Sequence, residues 1–352
     1  AVDGWGDTDS LEDISHIKGS SYDDSLTVEL EDPDSSSNVR WYMMGMDGAD
    51  TLTGTLTDSR WGVVASYLDD PSGVNVDLSA GTAIDGWGKT DILVDIDWVT
   101  GSSYNDTLLG NADYENVFFG TLGNDNIDGN TSTDDDDGGI VLYHTIDNAD
   151  FNGINADLST GIVQGMHVDT TVLFQDTLSN IEEIIGSIHD DTLTGSSEDN
   201  DFGGSLGDDS IDGGNDWDYV FYDEIDNSDF NGINADLSTG IVQGMHVDTT
   251  VLFQDTLSSI EGVSGSEYDD TIIGNSDDNH FNGSDGDDSI DGGDGFDSVS
   301  YEDDIYNADF NGINADLSTN SVKGMHGDGT TVIFEDTLSN IEGITGSEYD
   351  DT

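Results

Sequence analysis

Cysteine is absent from the 352 residues. That excludes disulfide staples, thiolate metal sites and a cysteine nucleophile. Proline is almost as scarce, with only Pro33 and Pro71 interrupting the chain. Basic residues number five: Lys18, Arg40, Arg60, Lys89 and Lys323. Nucleic acid and anionic membrane surfaces both require Lys or Arg, so neither is an expected partner. No apolar run is long enough to span a bilayer, and membrane insertion is not expected. No nucleophile elbow, phosphate loop or His-Glu zinc motif occurs.

Acid is what the chain has in excess. Its 78 Asp and Glu set a formal net charge of −73. Two carboxylates about 4–5 Å apart repel by roughly 4 kcal/mol at an effective dielectric near 20. Dozens of such pairs would exceed a folding stability of about 5–15 kcal/mol. Composition of this kind alone reads as disorder. Here, however, apolar residues recur in phase with the 45 glycines. The chain is therefore expected to be disordered without metal and ordered with it, because metal-binding free energy can be folding free energy.

The phrase Gly-Ser-x-x-(Asp/Asn)-Asp-(Thr/Ser) begins at Gly19, Gly101, Gly186, Gly265 and Gly346. This divides the chain into a tail of a preceding repeat (1–18), a degenerate first repeat (19–100), three further repeats (101–185, 186–264 and 265–345) and the start of another (346–352). Residues 150–179 are identical to 229–258, a recent duplication. The array begins and stops within a repeat, which suggests a segment of a longer protein or a subunit whose ends complete one another.

Each repeat has two parts. The first is a block of nonapeptides, clearest at Gly265, Gly274, Gly283 and Gly292 and again at Gly186, Gly195, Gly204 and Gly213. Glycine opens each unit, an acid or its amide stands sixth, and an apolar residue stands eighth (Ile272, Phe281, Ile290, Val299). Glycine permits a tight turn, and the apolar residue points inward from a short strand. Two units make one coil, so units 18 residues apart become neighbours about 4.8 Å apart on one edge. Asp270 then lies above Asp288, Asn279 above Asp297, Asp191 above Asp209 and Asn200 above Asp218. Calcium between two such turns would convert repulsion into a clamp, with backbone carbonyls completing its six to eight oxygens. The second part is a spacer of about 45 residues. It alternates apolar and polar residues around Ile313, Ala315 and Leu317, runs on through Thr330–Phe334, and reads as strands.

At these residues the chain resembles the RTX family, the hemolysin-type calcium-binding repeats, whose unit is Gly-Gly-x-Gly-x-Asp-x-(apolar)-x. The unit at Gly292 fits every defined position. Those at Gly45, Gly204 and Gly283 depart only at the second, while Tyr104, His189 and Tyr268 replace the fourth glycine elsewhere. The resemblance implies an all-β, right-handed parallel β-roll or β-helix solenoid, with Ca2+ between coils and export by type I secretion. It also implies the ligands: Asp24, Asp50, Asp106, Asp125, Asp191, Asp209, Asp218, Asp270, Asp288, Asp297 and Asp351. Asn200 and Asn279 occupy the same position as amides, and carbonyls of turn residues such as Gly207, Gly286, Gly293 and Gly295 would join.

The remaining features are read structurally. His167, His246 and His326 recur in Gly-Met-His, one per repeat, too far apart for a ligand cluster. Trp5, Trp87 and Trp98 are expected to pack against the coil rather than stack on sugar. The Asp134–Asp137 run is expected to be a solvated loop. Carboxylates abound, yet no pair is singled out for glycosidase chemistry, and no catalytic role is expected. The expected function is a calcium-stiffened repeat region of a secreted bacterial surface protein, as adhesin stalk, surface layer or filament. Its partners would be calcium, other copies or neighbouring repeats, and cell-surface polysaccharide. The alternative is a carrier module of an exported enzyme or toxin.

Overall fold

The computed structural model describes residues 15–29, 40–55, 62–112, 115–130, 138–146, 148–223, 225, 227–302, 310–347 and 349–352. Trp5, Arg60 and the Asp134–Asp137 run lie outside them. Among the described residues every regular element is a β-strand, and no helix is long and apolar enough to cross a membrane. The chain forms two compact units, Ala1–Ser187 and Ile188–Thr352.

In the second unit each nonapeptide contributes one short strand, and successive strands alternate between two sheets. One sheet runs Asn200–Gly203, Asp218–Phe221, Gly262–Ser264, His280–Asn282, Ser298–Ser300 and Gly343–Thr345, all parallel. The other pairs Thr192–Thr194 with Ser210–Asp212, and Thr271–Ile273 with Ser289–Asp291, also parallel. Register follows the 18-residue coil: Ile272 faces Ile290, and Phe281 faces Val299. These eighth-position side chains are at most 1% exposed. Each contributes roughly 1.5–3 kcal/mol by leaving water. The apolar row between the sheets is the core.

The spacers depart from the parallel rule. Phe230–Asp236, Ile241–His246 and Val251–Ser258 form an antiparallel three-stranded meander. It enters its sheet in reverse order. The third strand pairs with Ser210–Asp212 of the preceding block, and the first pairs with Thr271–Ile273 of the following block. Phe310–Asp316, Ser321–His326 and Val332–Ser339 repeat the arrangement. The expected alternation holds at Ile313, but the strand ends at Asp316, and Leu317 lies in the following turn, exposed. Phe253 stacks between Tyr222 and Phe230, with ring centroids 6.2 and 6.1 Å away. Gly244 lies directly beneath the Phe253 ring, and any Cβ there would strike it.

The first unit follows the same plan. His16–Lys18, Trp41–Met44, Val63–Ser66, Trp98–Thr100, Val117–Phe119, Gly139–Leu142 and Ile181–Ile185 build its parallel sheet. Phe151–Asp157, Ile162–His167 and Val172–Ser179 form a meander, and Asn75–Asp77, Thr82–Ile84 and Thr90–Val94 a shorter one. Trp98 is half-buried against Phe119, with the Arg40 guanidinium 5.2 Å above its ring. Trp87 is half-buried in the turn after Thr82–Ile84. His167, His246 and His326 each accept, at Nδ1, the amide of an aspartate two residues on at 3.0 Å, which closes the meander turn.

Candidate calcium sites

The sixth-position side chains form columns along the two edges of the coils, and one interaction repeats down each column. The backbone N–H of one acid donates to Oδ1 of the acid one coil further on. On the first edge of the second unit, Asp191 donates to Asp209 at 2.8 Å and Asp209 to Asp255 at 2.9 Å. Then Asp270 donates to Asp288 at 2.9 Å and Asp288 to Asp336 at 3.0 Å. On the second edge Asn200 donates to Asp218 at 2.9 Å, and Asn279 to Asp297 at 2.8 Å. In the first unit Asp106 donates to Asp125, and Asp125 to Asp176. Asp24 likewise donates to Asp50, and Asp50 to Asp91. At the far end Asp351 accepts the N–H of Ile313 at 2.8 Å, as Asp270 accepts that of Ile233 and Asp106 that of Val74.

Glycine makes this stacking close. Gly207, Gly286, Gly293 and Gly295 all have positive φ, from 95° to 141°. Each sits over the carbonyl of the residue one coil earlier. A Cβ on Gly286 would lie 2.5 Å from the Tyr268 oxygen, and one on Gly295 2.5 Å from that of Asp277. The turns therefore stack backbone on backbone and bring carbonyl oxygens and carboxylates of adjacent coils into the same small space.

Burial without counter-charge raises the carboxyl pKa values. Asp125 is pushed up to about 8 by burial and by the charge of Asp176. Asp218, also buried and beside Glu261, is pushed up to about 7. Asp209 and Asp288 are raised in the same way by burial and by the acids above and below them. Several buried oxygens have no hydrogen-bond partner: Oδ2 of Asp50, Asp91, Asp218 and Asp297 among them. An unpaired anionic oxygen out of water costs several kcal/mol, and a proton or a cation relieves it. Calcium fits the donor set: hard carboxylate and carbonyl oxygens from flexible turns, with no nitrogen or sulfur ligand. Among the described residues no three His, Asp or Glu side chains converge as a metal cage, so such an ion would depend on backbone oxygens as well as on paired carboxylates.

Asparagine behaves differently. Asn279 Nδ2 donates to the Glu261 carbonyl at 3.2 Å, and Asn116 Nδ2 to the Asn111 carbonyl at 2.8 Å. There an amide donor satisfies a carbonyl that a cation would otherwise take.

Sequence reasoning missed the acids that the spacers add to the columns: Asp91, Asp176, Asp255 and Asp336 on one edge, Glu261 and Glu342 on the other. The signal was present. Asp176-Thr-Leu, Asp255-Thr-Leu and Asp336-Thr-Leu echo Asp106-Thr-Leu and Asp191-Thr-Leu of the nonapeptides. Three of the spacer aspartates are completed by a tyrosine. Tyr143, Tyr222 and Tyr301 donate to Oδ2 of Asp176, Asp255 and Asp336 at 2.9, 2.9 and 2.6 Å.

No curated protein matches this chain. A family model does: the RTX calcium-binding nonapeptide repeat, in four copies, at residues 94–113, 194–224 and 264–299. Those spans hold Asp106, Asn200, Asp209, Asp218, Asp270, Asn279, Asp288 and Asp297, all in the columns above. The chain thus contains a calcium-binding repeat region of the RTX nonapeptide type, folded as parallel coils with the ion held between them.

Proposed function

We infer that the chain is a calcium-stiffened structural region of a secreted surface protein, an adhesin stalk, surface-layer subunit or extracellular filament, and not an enzyme. The observation that carries this reading is the repetition of one acid-to-acid contact along both edges, through blocks and spacers alike. A catalytic site is a single departure from a scaffold, whereas here the acids are the scaffold. Their Oδ1 atoms are engaged with backbone amides, which suits holding coils together rather than moving protons. The RTX repeats support export through a type I pathway, in which an unfolded chain would meet calcium and fold outside the cell. The duplicated segments suit a part selected for length.

Far-ultraviolet circular dichroism of the chain in excess chelator and in millimolar calcium tests the folding half of this reading. Chelation is expected to remove most of the β signal and calcium to restore it. An unchanged spectrum in chelator would defeat the model. Images of the native assembly test the structural half, with filaments or a surface layer expected.

A further inference from the structure

The second edge of the second unit carries six side chains in the order Asn200, Asp218, Glu261, Asn279, Asp297, Glu342. The glutamates come from the spacers. Asp218 N–H donates to Glu261 Oε2 at 3.1 Å, and Asp297 N–H to Glu342 Oε2 at 3.0 Å. Each glutamate returns its own N–H to the carbonyl of that aspartate, at 3.0 and 2.9 Å. This two-way latch seats the glutamate one strand spacing from the aspartate, with one glutamate oxygen against the aspartate's backbone amide.

Asp218 and Asp297 are fully buried, and Oδ2 of each has no hydrogen-bond partner. That oxygen turns toward the glycine that opens its own unit. A Cβ on Gly213 would lie 2.6 Å from Asp218 Oδ2, and one on Gly292 2.6 Å from Asp297 Oδ2. The same absent Cβ would collide with the carbonyl oxygen of Ser259 in the first case and Asn340 in the second. Ser259 and Asn340 stand two residues before the glutamates in left-handed conformation, with φ of 54° and 50°. An orphaned carboxylate oxygen and a carbonyl oxygen therefore converge on the same glycine, closer than any side chain there would allow, twice over. The first edge meets the same need with the hydroxyls of Tyr222 and Tyr301.

We propose that Glu261 and Glu342 are calcium ligands. Each completes, with Asp218 or Asp297 and the Ser259 or Asn340 carbonyl, a site that joins a repeat block to its spacer. Further carbonyls and water supply the remaining oxygens that calcium takes. This rests on the calcium reading above and extends it beyond the nonapeptides. The step from Glu261 to Asn279 holds no such ion, because the Asn279 amide already donates to the Glu261 carbonyl.

Equilibrium dialysis of the full chain against calcium tests the proposal. The variants are E261Q/E342Q and, as a charge-matched control, E267Q/E302Q, whose glutamates are exposed. Glutamine keeps an acceptor for the aspartate N–H. The first variant is expected to bind about two fewer ions at saturation, and the control as many as the unaltered chain. An equal count in E261Q/E342Q overturns the proposal, whereas an unaltered chain that binds no calcium overturns the underlying reading. Terbium luminescence gives a local readout that survives partial misfolding elsewhere, because Trp217 adjoins Asp218. The emission that W217F removes should fall in E261Q and persist in E342Q. Full Trp217-sensitised emission in E261Q also overturns the proposal.

Discussion

Tyr222 shows how a single hydroxyl decides the fate of a buried acid. Asp255 has one oxygen on the Asp209 amide and the other on the Tyr222 hydroxyl, 2.9 Å from each. Replacing Tyr222 by Phe keeps the stacked ring and strands one anionic oxygen. Leaving a buried acceptor unpaired costs about 1–3 kcal/mol. Y222F should lose that much in denaturant unfolding at saturating calcium, and a loss below about 0.5 kcal/mol would show that Asp255 finds another partner. Gly286 is a second decisive residue. Its φ of +118° and the Tyr268 carbonyl beneath it leave no room for a side chain. G286A should cost about 1–3 kcal/mol by the same measurement. Both roles were unequally legible. The glycine stands at a defined position of the nonapeptide. The tyrosine does not, because nothing in Tyr222-Asp223 signals that its hydroxyl meets an aspartate 33 residues away.

Strands of the nonapeptides were readable because glycine, acid and apolar residue recur every nine positions, and the coil follows from that count. The meanders were readable only as strands. Period-two alternation is the same in parallel and antiparallel pairing, so Phe230–Asp236 and its two partners did not announce that they reverse direction. Their turns decide it. Gly240 sits at φ 67° and Thr249 at φ 69° in the two connections. The meander is held by the aromatic stack of Tyr222, Phe253 and Phe230 as well as by its hydrogen bonds. F253A should destabilise it by about 3–5 kcal/mol. Coupling between coils is to nearest neighbours. The loss should therefore appear as early hydrogen exchange in 230–258 and the strands paired with it, with Gly343–Thr345 little affected. Uniform loss of protection across the second unit would contradict nearest-neighbour coupling.

Across the whole chain, charge sets the response to pH. Asp50 and Asp176 are pushed up to about 7 and Asp125 to about 8, in each case chiefly by burial. A raised folded-state pKa means that the folded chain binds protons more tightly than the unfolded one. Stability from these groups is then complete below the ordinary carboxylate range near 4 and drains away as pH rises through 7 to 8. Without calcium, β content should therefore increase on acidification from pH 9 to pH 4, seen by circular dichroism. Calcium competes with those protons, so its affinity should rise with pH over the same range. Metal-free β content that is flat over this range would show that the columns are not where the charge is stored.

Composition and period alone determined that this protein is all-β, repetitive and equipped to bind cations. Those properties follow from the net charge and from residues that recur at fixed intervals, and they need no knowledge of distant contacts. Only the tertiary structure decided which acids share a space. Asp255, Glu261 and Tyr222 meet Asp209 and Asp218 through a spacer whose strands run back against the coil, and the order of pairing in a sheet is set by turns and packing, not by the period of the side chains.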